Sequence, residues 1–205
     1  MGGGGHCKSV LQMVLRMNLP VAGIIDLPEK RNSQLLGVSV IGSDVDLAEY
    51  SRSDYDLIIT MGSVKTNEKR KRIFETLNKM GYHFGTIISD RSSIGLGVSV
   101  GVGTVIFDHT FINVHTQIGK NCIVNTGALV EHDCRIEDHV HLCPGVRIAG
   151  EVRVEEGAFL GIGSTVIQGM RIGKESVVGA GAVVIDNVPD RCLVTGVPAK
   201  VTGKL

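Results

Sequence analysis

The sequence has no excess of charge of either sign. Its 205 residues carry 21 Lys and Arg against 21 Asp and Glu, so the formal net charge at pH 7 is +0. This balance gives no electrostatic basis for binding nucleic acid or an anionic membrane surface. The sequence also lacks the run of about 18 apolar residues that a membrane span needs, and it lacks a secretory signal pattern at its N-terminal end. We therefore expect a cytoplasmic protein with no nucleic-acid partner and no membrane insertion.

Cysteine chemistry is not indicated. The 5 cysteines are odd in number and contain no C-x-x-C pair, which argues against a disulfide framework and against a thiolate zinc site. Cys122 and Cys134 occupy a position of the sequence repeat described next that is otherwise taken by small or compact side chains. Because free cysteines commonly behave as small buried hydrophobes, we expect both to fill the core.

A strict six-residue repeat runs through the C-terminal part of the chain, where every sixth position is Ile, Val or Leu. These positions are Ile88, Ile94, Val100, Ile106, Ile112, Ile118, Val124, Val130, Ile136, Leu142, Ile148, Val154, Leu160, Val166, Ile172, Val178 and Val184. A mostly small or compact side chain follows each of them four residues later. This pattern is typical of a parallel β-helix, in which each unit buries its aliphatic residue by stacking on its neighbours. We expect this fold over residues 86–205.

The first 85 residues do not follow the six-residue repeat. They contain apolar runs at 21–25 and 57–61 and helical segments at 8–17 and 68–80. This alternation predicts a small parallel α/β, Rossmann-like domain over residues 1–85. A basic cluster at residues 69–72 lies on the second helical segment, where we interpret it as a solvated face. Asn67 is a plausible cap for that helix.

A run of glycines at residues 2–5 directly precedes the first helical segment. Glycines at a helix N-terminus let backbone N–H groups approach a polar or anionic ligand. Asp26 follows about 20 residues later, where nucleotide-binding α/β domains place an acid for a ribose hydroxyl. Such domains also have a strand before the glycine loop, and the printed sequence shows none there. A flexible glycine-rich leader is the alternative reading.

The conspicuous polar cluster of the repeat is the segment containing Glu131, His132 and Asp133. Three hexapeptides form one triangular coil, so residues 18 apart should stack at the spacing of neighbouring strands, about 4.8 Å. This register places His132 against Gly150 and Asp133 against His115. A histidine held by a carboxylate is suited to general-base catalysis, and a glycine N–H can stabilise an oxyanion. The alternative is that these are surface residues on a polar edge.

Two segments carry a resemblance to a known family. The stretch VNTGALVEHDC through GVPAK, together with the N-terminal GGGGHCK, resembles the left-handed β-helix acyltransferases, and more narrowly the NeuD/PglD-like sugar acetyltransferases. The resemblance covers nearly the whole chain. It implies a left-handed β-helix, a homotrimer with active sites between subunits, acetyl-CoA held between adjacent β-helices, and a sugar nucleotide held by the N-terminal domain.

The resemblance also implies roles for individual residues. His132 matches the catalytic base and Asp133 the acid beside it, and the Gly150 amide faces the thioester carbonyl. The positions matching acetyl-CoA contacts are His141, Gly150, Ile162 and Ala180. The positions matching the sugar-nucleotide pocket are Gly4, Gly5, His6, Asp26 and Gly62.

The function expected from this resemblance is acetyl transfer from acetyl-CoA to the amine of a nucleotide-linked 4-amino sugar in bacterial glycan biosynthesis, without a covalent enzyme intermediate. Two alternatives stay open, namely O-acetylation of a sialic-acid-like hydroxyl and a non-catalytic β-helix scaffold. No metal is expected, because no two histidines have the five-residue spacing of the zinc ligands in β-helix carbonic anhydrases.

Overall fold

The computed structural model describes residues 2–63 and 66–205, in which a small α/β unit precedes a long triangular β-helix. The helices in this part of the chain are α1 (Gly5–Arg16) and α2 (Glu68–Lys79), with short 3-10 helices at Pro28–Lys30 and Asp44–Glu49. The strands before the β-helix are β1 (Ile24–Ile25), β2 (Gln34–Leu35), β3 (Val38–Gly42), β4 (Asp56–Leu57) and β5 (His83–Phe84). None of the described helices combines the length and hydropathy needed to cross a membrane.

The strands of the α/β unit form two separate small sheets. One has the order β1-β3-β2, with β1 and β3 parallel, and the other is the parallel pair β4-β5. Helix α1 begins three residues earlier than the sequence predicted, because Gly5 is its first residue. Strand β3 was not predicted from the sequence.

Up to residue 184 the β-helix consists of two-residue strands arranged on three faces, and each coil takes three hexapeptides. The first face contains β7 (Ser93–Ile94), β10 (Phe111–Ile112), β13 (Leu129–Val130), β16 (Arg147–Ile148), β19 (Thr165–Val166) and β22 (Val183–Val184). The second face contains β8 (Ser99–Val100), β11 (Gln117–Ile118), β14 (Arg135–Ile136), β17 (Arg153–Val154) and β20 (Arg171–Ile172). The third face contains β6 (Ile87–Ile88), β9 (Val105–Ile106), β12 (Ile123–Val124), β15 (His141–Leu142), β18 (Phe159–Leu160), β21 (Val177–Val178), β23 (Cys192–Thr195) and β24 (Lys200–Lys204).

The six-residue period determines the core. Strands one coil apart pair in parallel with a constant register of 18 residues, as in Ile112 with Val130 and Val130 with Ile148. The second residue of each strand points inward, and from Ile106 to Val184 these residues are all buried, whereas Ile94 in the first coil is 38% exposed. Cys122 and Cys134 lie in the same core, as the sequence predicted.

Each corner of the β-helix requires one residue with a left-handed backbone. Every sixth residue from Gly97 to Gly181 has a positive φ. Glycine adopts this conformation at no steric cost, whereas most other residues are disfavoured there. The exceptions include His115, Asp133 and Glu151, which follow one another at a single corner, between the first and second faces.

The α/β unit packs on the third face of the β-helix. Val10, Met13 and Val14 of α1 contact a cluster that includes Val105 and Ile123. Asn67 occupies the N-cap position of α2, as the sequence predicted, but its side chain makes no capping bond and its amide instead donates to the carbonyls of His139 and Ala158. One sequence interpretation is wrong at this interface. The basic cluster is not a uniformly solvated face, because the guanidinium of Arg70 is buried among backbone carbonyls.

Candidate active site

The corner between the first and second faces brings together the three residues predicted to be catalytic. His132 Nδ1 lies 2.9 Å from Asp133 Oδ2. The His132 ring packs directly on Gly150, where a Cβ atom would lie only 2.6 Å from the ring Cε1 and 2.7 Å from Nε2. The predicted stacking of His132 on Gly150 is therefore present, and only a glycine leaves room for the imidazole there.

The backbone holds Asp133 beside the imidazole. Asp133 has a φ of 57°, a conformation that Asp tolerates better than most residues, and its N–H donates to the Val114 carbonyl at 3.1 Å. The hydrogen bond from Asp133 raises the pKa of His132 above its ordinary value. Because Nδ1 faces the carboxylate, Nε2 is the ring atom that can exchange a proton with a ligand.

His115 lies one coil from Asp133 at the same corner, as the register predicted. Its imidazole packs on Gly97, where a Cβ atom would lie 2.6 Å from Nδ1. The ring is therefore directed to the preceding coil, away from Asp133.

The Gly150 amide is a hydrogen-bond donor with no acceptor among the described residues. At comparable corner positions a side chain accepts this N–H, as Asn113 does for Val114 and Asp138 does for Lys120. Ala149 precedes Gly150 and has no such acceptor. An N–H left open beside a basic imidazole can receive an oxyanion.

The predicted acetyl-CoA contacts lie in two other places. Ile162 and Ala180 stack one coil apart at the corner between the third and first faces, joined by the bond from the Gly181 N–H to the Ile162 carbonyl at 2.8 Å. Ile162 is 61% exposed. A Cβ atom at Gly163 or Gly181 would meet nothing within 4 Å. This corner is an exposed apolar edge that is accessible to a flexible ligand chain.

His141 is only 5% exposed and lies on the third face, beneath the α/β unit. Its ring meets Phe159 edge-on, with centroids 5.1 Å apart. Neither ring nitrogen has a hydrogen-bond partner among the described residues. Burial, with the nearby positive charges of His6 and Arg70, lowers its pKa to about 3. The structure does not bring His141 to the His132 corner within one chain.

All five residues predicted to bind the sugar nucleotide line one pocket of about 610 Å³ in the α/β unit, which we call the glycine-loop pocket. The predicted residues are Gly4, Gly5, His6, Asp26 and Gly62. Gly4 precedes α1 with no side-chain cap, and a Cβ atom at Gly4 or Gly5 would meet nothing within 4 Å. The first N–H groups of α1 are therefore accessible to an anionic group.

Charged side chains define the rim of the glycine-loop pocket. Asp26 Oδ2 accepts from Lys30 Nζ at 2.8 Å. Burial raises the pKa of Asp26, but the bonds from Lys30 and from backbone N–H groups outweigh it and lower the pKa overall. Asp26 is therefore ionised at neutral pH and available to a hydroxyl donor.

Five polar residues of this pocket were not predicted from the sequence to belong to the site, namely Ser43, Asp44, Thr60, Ser63 and Lys69. A signal existed for Lys69, which belongs to the basic cluster interpreted as a solvated face. Its ammonium group supplies a positive charge near the glycines. Ser43 and Asp44 follow the unpredicted strand β3, so no signal placed them at a strand end.

One acidic cluster in the described residues has the ligand types of a metal site. Atoms of Glu75, His139 and Glu156 lie within 4.8 Å of one another. Glu156 already accepts from Lys71 and Lys174. These ammonium groups supply the positive charge that an ion would otherwise bring.

Both parts of the chain are similar to known protein families. A family model described as the PglD N-terminal domain matches residues 1–77. Two hexapeptide-repeat models, one of bacterial transferases and one of succinyl-transferases, match residues 115–150 and 151–185. The perosamine N-acetyltransferase of Caulobacter crescentus, solved with CoA and GDP-perosamine and with one histidine changed to asparagine, is 35% identical to this chain. That match covers 99% of this chain and 95% of that chain, with a TM-score of 0.91.

The chain belongs to the NeuD/PglD-like sugar acetyltransferase family. The acetyltransferase domain of PglB from Neisseria gonorrhoeae, also solved with acetyl coenzyme A, is 28% identical over 98% of this chain and 96% of that chain, with a TM-score of 0.89. WeeI from Acinetobacter baumannii is 27% identical over 98% of this chain and 96% of that chain, with a TM-score of 0.87. No curated protein sequence matches the chain. The NeuD/PglD-like resemblance and the left-handed β-helix class predicted from the sequence are thus confirmed.

Proposed function

We propose that the protein transfers an acetyl group from acetyl-CoA to the amine of a nucleotide-linked 4-amino sugar in bacterial glycan biosynthesis. The observation that carries this proposal is the arrangement at one corner, where His132 is held by Asp133 and packs on the open amide of Gly150. The Caulobacter crescentus relative, an N-acetyltransferase solved with CoA and GDP-perosamine, supports an amine acceptor.

In the proposed function, each of the two parts of the chain binds one of the two substrates. Residues 1–85 hold the sugar nucleotide in the glycine-loop pocket, where the N-terminus of α1 and Lys69 face phosphate oxygens and Asp26 accepts from a hydroxyl of the nucleoside. Residues 86–205 hold acetyl-CoA along the exposed edge formed by Ile162 and Ala180, with His141 as a further contact. The exposed apolar surface of Ile162 and the glycines beside it fit a flexible, partly apolar chain.

The chemistry follows from the His132 corner. Acetyl-CoA supplies an acetyl thioester when bound. Nε2 of neutral His132 takes the proton from the attacking amine, and Asp133 stabilises the imidazolium that forms. The Gly150 N–H donates to the negative charge that develops on the carbonyl oxygen. The imidazolium then returns the proton to the departing sulfur, so CoA leaves as a thiol and the side chains end unchanged.

The active site is completed by a second copy of the chain in a cytoplasmic homotrimer. This proposal rests on the three faces of the β-helix. The α/β unit covers the third face, and Arg135, Arg153 and Arg171 line the second face in ion pairs suited to solvent. The first face carries the outward apolar side chains of Phe111, which is exposed, and of Leu129 and Val183, which are half-buried in the single chain.

Acceptor identity is the direct test of the proposed function. Release of free thiol from acetyl-CoA should be measured against nucleotide-linked 4-amino sugars, the matching 4-hydroxy sugars and free sialic acids. We expect release with the amino sugars only. Turnover with a hydroxyl acceptor alone would make the protein an O-acetyltransferase. Binding of acetyl-CoA with no thiol release across the whole panel would support a scaffold instead.

His132→Ala tests the assignment of the base. We expect kcat to fall by about 10²–10⁴, the usual contribution of a general base, with little change in melting temperature because the side chain is partly exposed. His115→Ala, at the same corner one coil earlier, is the matched control and should keep its turnover. Near-full turnover of His132→Ala would disprove the assignment.

A further inference from the structure

The glycine-loop pocket lies across the carboxyl ends of two neighbouring strands, β1 and β3. These strands pair in parallel, and the N–H of Asp26, just after β1, donates to the carbonyl of Gly42, the last residue of β3, at 3.0 Å. Ligands of parallel sheets bind beyond the carboxyl ends of the strands. Asp26 and the residues that follow Gly42 therefore lie side by side, about one strand spacing of 4.8 Å apart, and line the same pocket.

The glycine loop lies on the side of β1 that faces away from β3. The Gly2 N–H donates to the Ile25 carbonyl at 2.9 Å, and the Gly2 carbonyl accepts from Thr60 Oγ1 at 2.6 Å. A Cβ atom at Gly3 would overlap the Asp26 carboxylate. The glycine loop, Asp26 and the end of β3 are thus three successive positions. In the proposed function the first position binds the phosphates and the second a ribose hydroxyl, so the third faces the base.

The turn after β3 presents one carboxylate without a partner. Asp46 Oδ2 accepts from the N–H of Ser43 at 2.7 Å and from its hydroxyl at 2.9 Å, and these bonds fix the turn. Asp26 and Asp46 are both paired with basic side chains. Asp44 is exposed, and its carboxylate forms no hydrogen bond or ion pair with any residue that the structure describes. It is therefore available to a donor on a ligand.

Two exposed apolar side chains lie next to these acids in the pocket. Leu27, which follows Asp26, is 54% exposed, and Val45, which follows Asp44, is 83% exposed. A nucleobase has apolar faces and a polar edge. Its faces can cover Leu27 and Val45 while its edge meets the Asp44 carboxylate.

The chemistry of a carboxylate limits which base can present that edge. An ionised carboxylate only accepts hydrogen bonds. Guanine has two adjacent donors, N1–H and the 2-amino group, which match the two oxygens of a carboxylate. Uracil and thymine have a single N–H between two carbonyl oxygens, and these oxygens repel a carboxylate. An unpaired Asp44 therefore favours guanine.

We propose that the glycine-loop pocket binds a guanosine diphosphate sugar, and that Asp44 accepts from N1–H and the 2-amino group of its guanine. Asp44 has this role only if the pocket binds the sugar nucleotide of the proposed function. The glycine loop and Asp26 contact the parts that all nucleoside diphosphates share. Asp44 is the residue that selects the base.

The test measures the Kd of GDP, inosine diphosphate and UDP by calorimetry, without acetyl-CoA. Inosine diphosphate has N1–H but lacks the 2-amino group. We expect the native chain to bind GDP at least about tenfold more tightly than either of the others, since two hydrogen bonds to a base edge discriminate on this scale. Asp44→Asn should weaken GDP binding by at least about tenfold and should leave UDP binding unchanged or stronger.

Glu49→Gln is the matched control. Glu49 is an exposed carboxylate at the other end of the same 3-10 helix and does not line the pocket. We expect this variant to keep all three Kd values of the native chain. A loss of GDP binding in Glu49→Gln as large as that in Asp44→Asn would show a general effect of charge and would overturn the role of Asp44.

Two further results would overturn the selection of guanine. The first is binding of UDP by the native chain as tightly as GDP. The second is an equal gain in affinity for all three diphosphates in Asp44→Asn, which would show only that the carboxylate repels phosphate. Either result would leave acetyl transfer untouched, because thiol release tests it separately. If no diphosphate bound, the nucleotide-binding part of the proposed function would fail together with the selection of guanine.

Discussion

The backbone conformation of one residue makes the candidate base possible. Asp133 occupies the left-handed position of its corner, and this conformation directs its carboxylate to the Nδ1 side of His132. On the other side of the ring, Gly150 allows contact that any Cβ atom would prevent. The site therefore depends on two backbone requirements of the β-helix as much as on its two ionisable side chains.

Asp133→Asn should change the pH dependence of catalysis. The general base acts when neutral, and the bond from Asp133 raises the pKa of His132, so activity of the native chain should fall as pH drops through a value above 6.5. The asparagine side chain has no negative charge, so the acid limb of kcat/KM should move to lower pH. The value of kcat should also fall, because no carboxylate stabilises the His132 imidazolium. The measurement is a pH–rate profile from pH 5 to 9. The control is Asp186→Asn, because Asp186 is an exposed carboxylate outside this corner. If the acid limb of Asp133→Asn did not move, the proposed pairing of Asp133 with His132 would be refuted.

At the scale of elements, the β-helix could be predicted and much of the α/β unit could not. Each hexapeptide contacts mainly its neighbours 18 residues away, so a one-dimensional pattern defines the core and even places His132 on Gly150. Strands β1, β4 and β5 have two residues each, too few to show a period. The burial of Arg70 depends on carbonyls of Ile59, Met61 and Asn121 that no local pattern reveals.

The interface between the α/β unit and the third face should be sensitive to acid. Burial lowers the pKa of His141 to about 3, so in acid the unfolded chain binds a proton that the folded chain does not. When folding lowers the pKa of a histidine, the free energy of unfolding is highest above pH 6.5. It decreases as the pH falls below that value, because the unfolded chain is then protonated. For His141 the loss between pH 7 and pH 5 should be about 2 kcal/mol.

His141→Leu removes this titration and should reduce the loss of unfolding free energy between pH 7 and pH 5 by about that amount. Urea unfolding at the two pH values is the measurement. His83→Gln, an exposed histidine of the same unit, should leave the loss unchanged. If His141→Leu kept the full pH dependence of the native chain, His141 would be accessible to protons in the folded state.

For the whole molecule, the different chemistry of the three faces predicts the assembly. Phe111 is 38% exposed on the first face and is the largest outward side chain there. Phe111→Arg should place a charge in the subunit contact, where burying it unpaired is costly. We expect the mass measured by light scattering to fall from three times 21.9 kDa to that of a single chain. Turnover should fall with it, because in the proposed trimer His132 of one subunit and His141 of another contribute to the same site. Gln117→Arg adds the same charge in the same coil on the solvent-facing second face and should remain trimeric and active. A native chain that is monomeric at full turnover would show that one subunit contains the complete site.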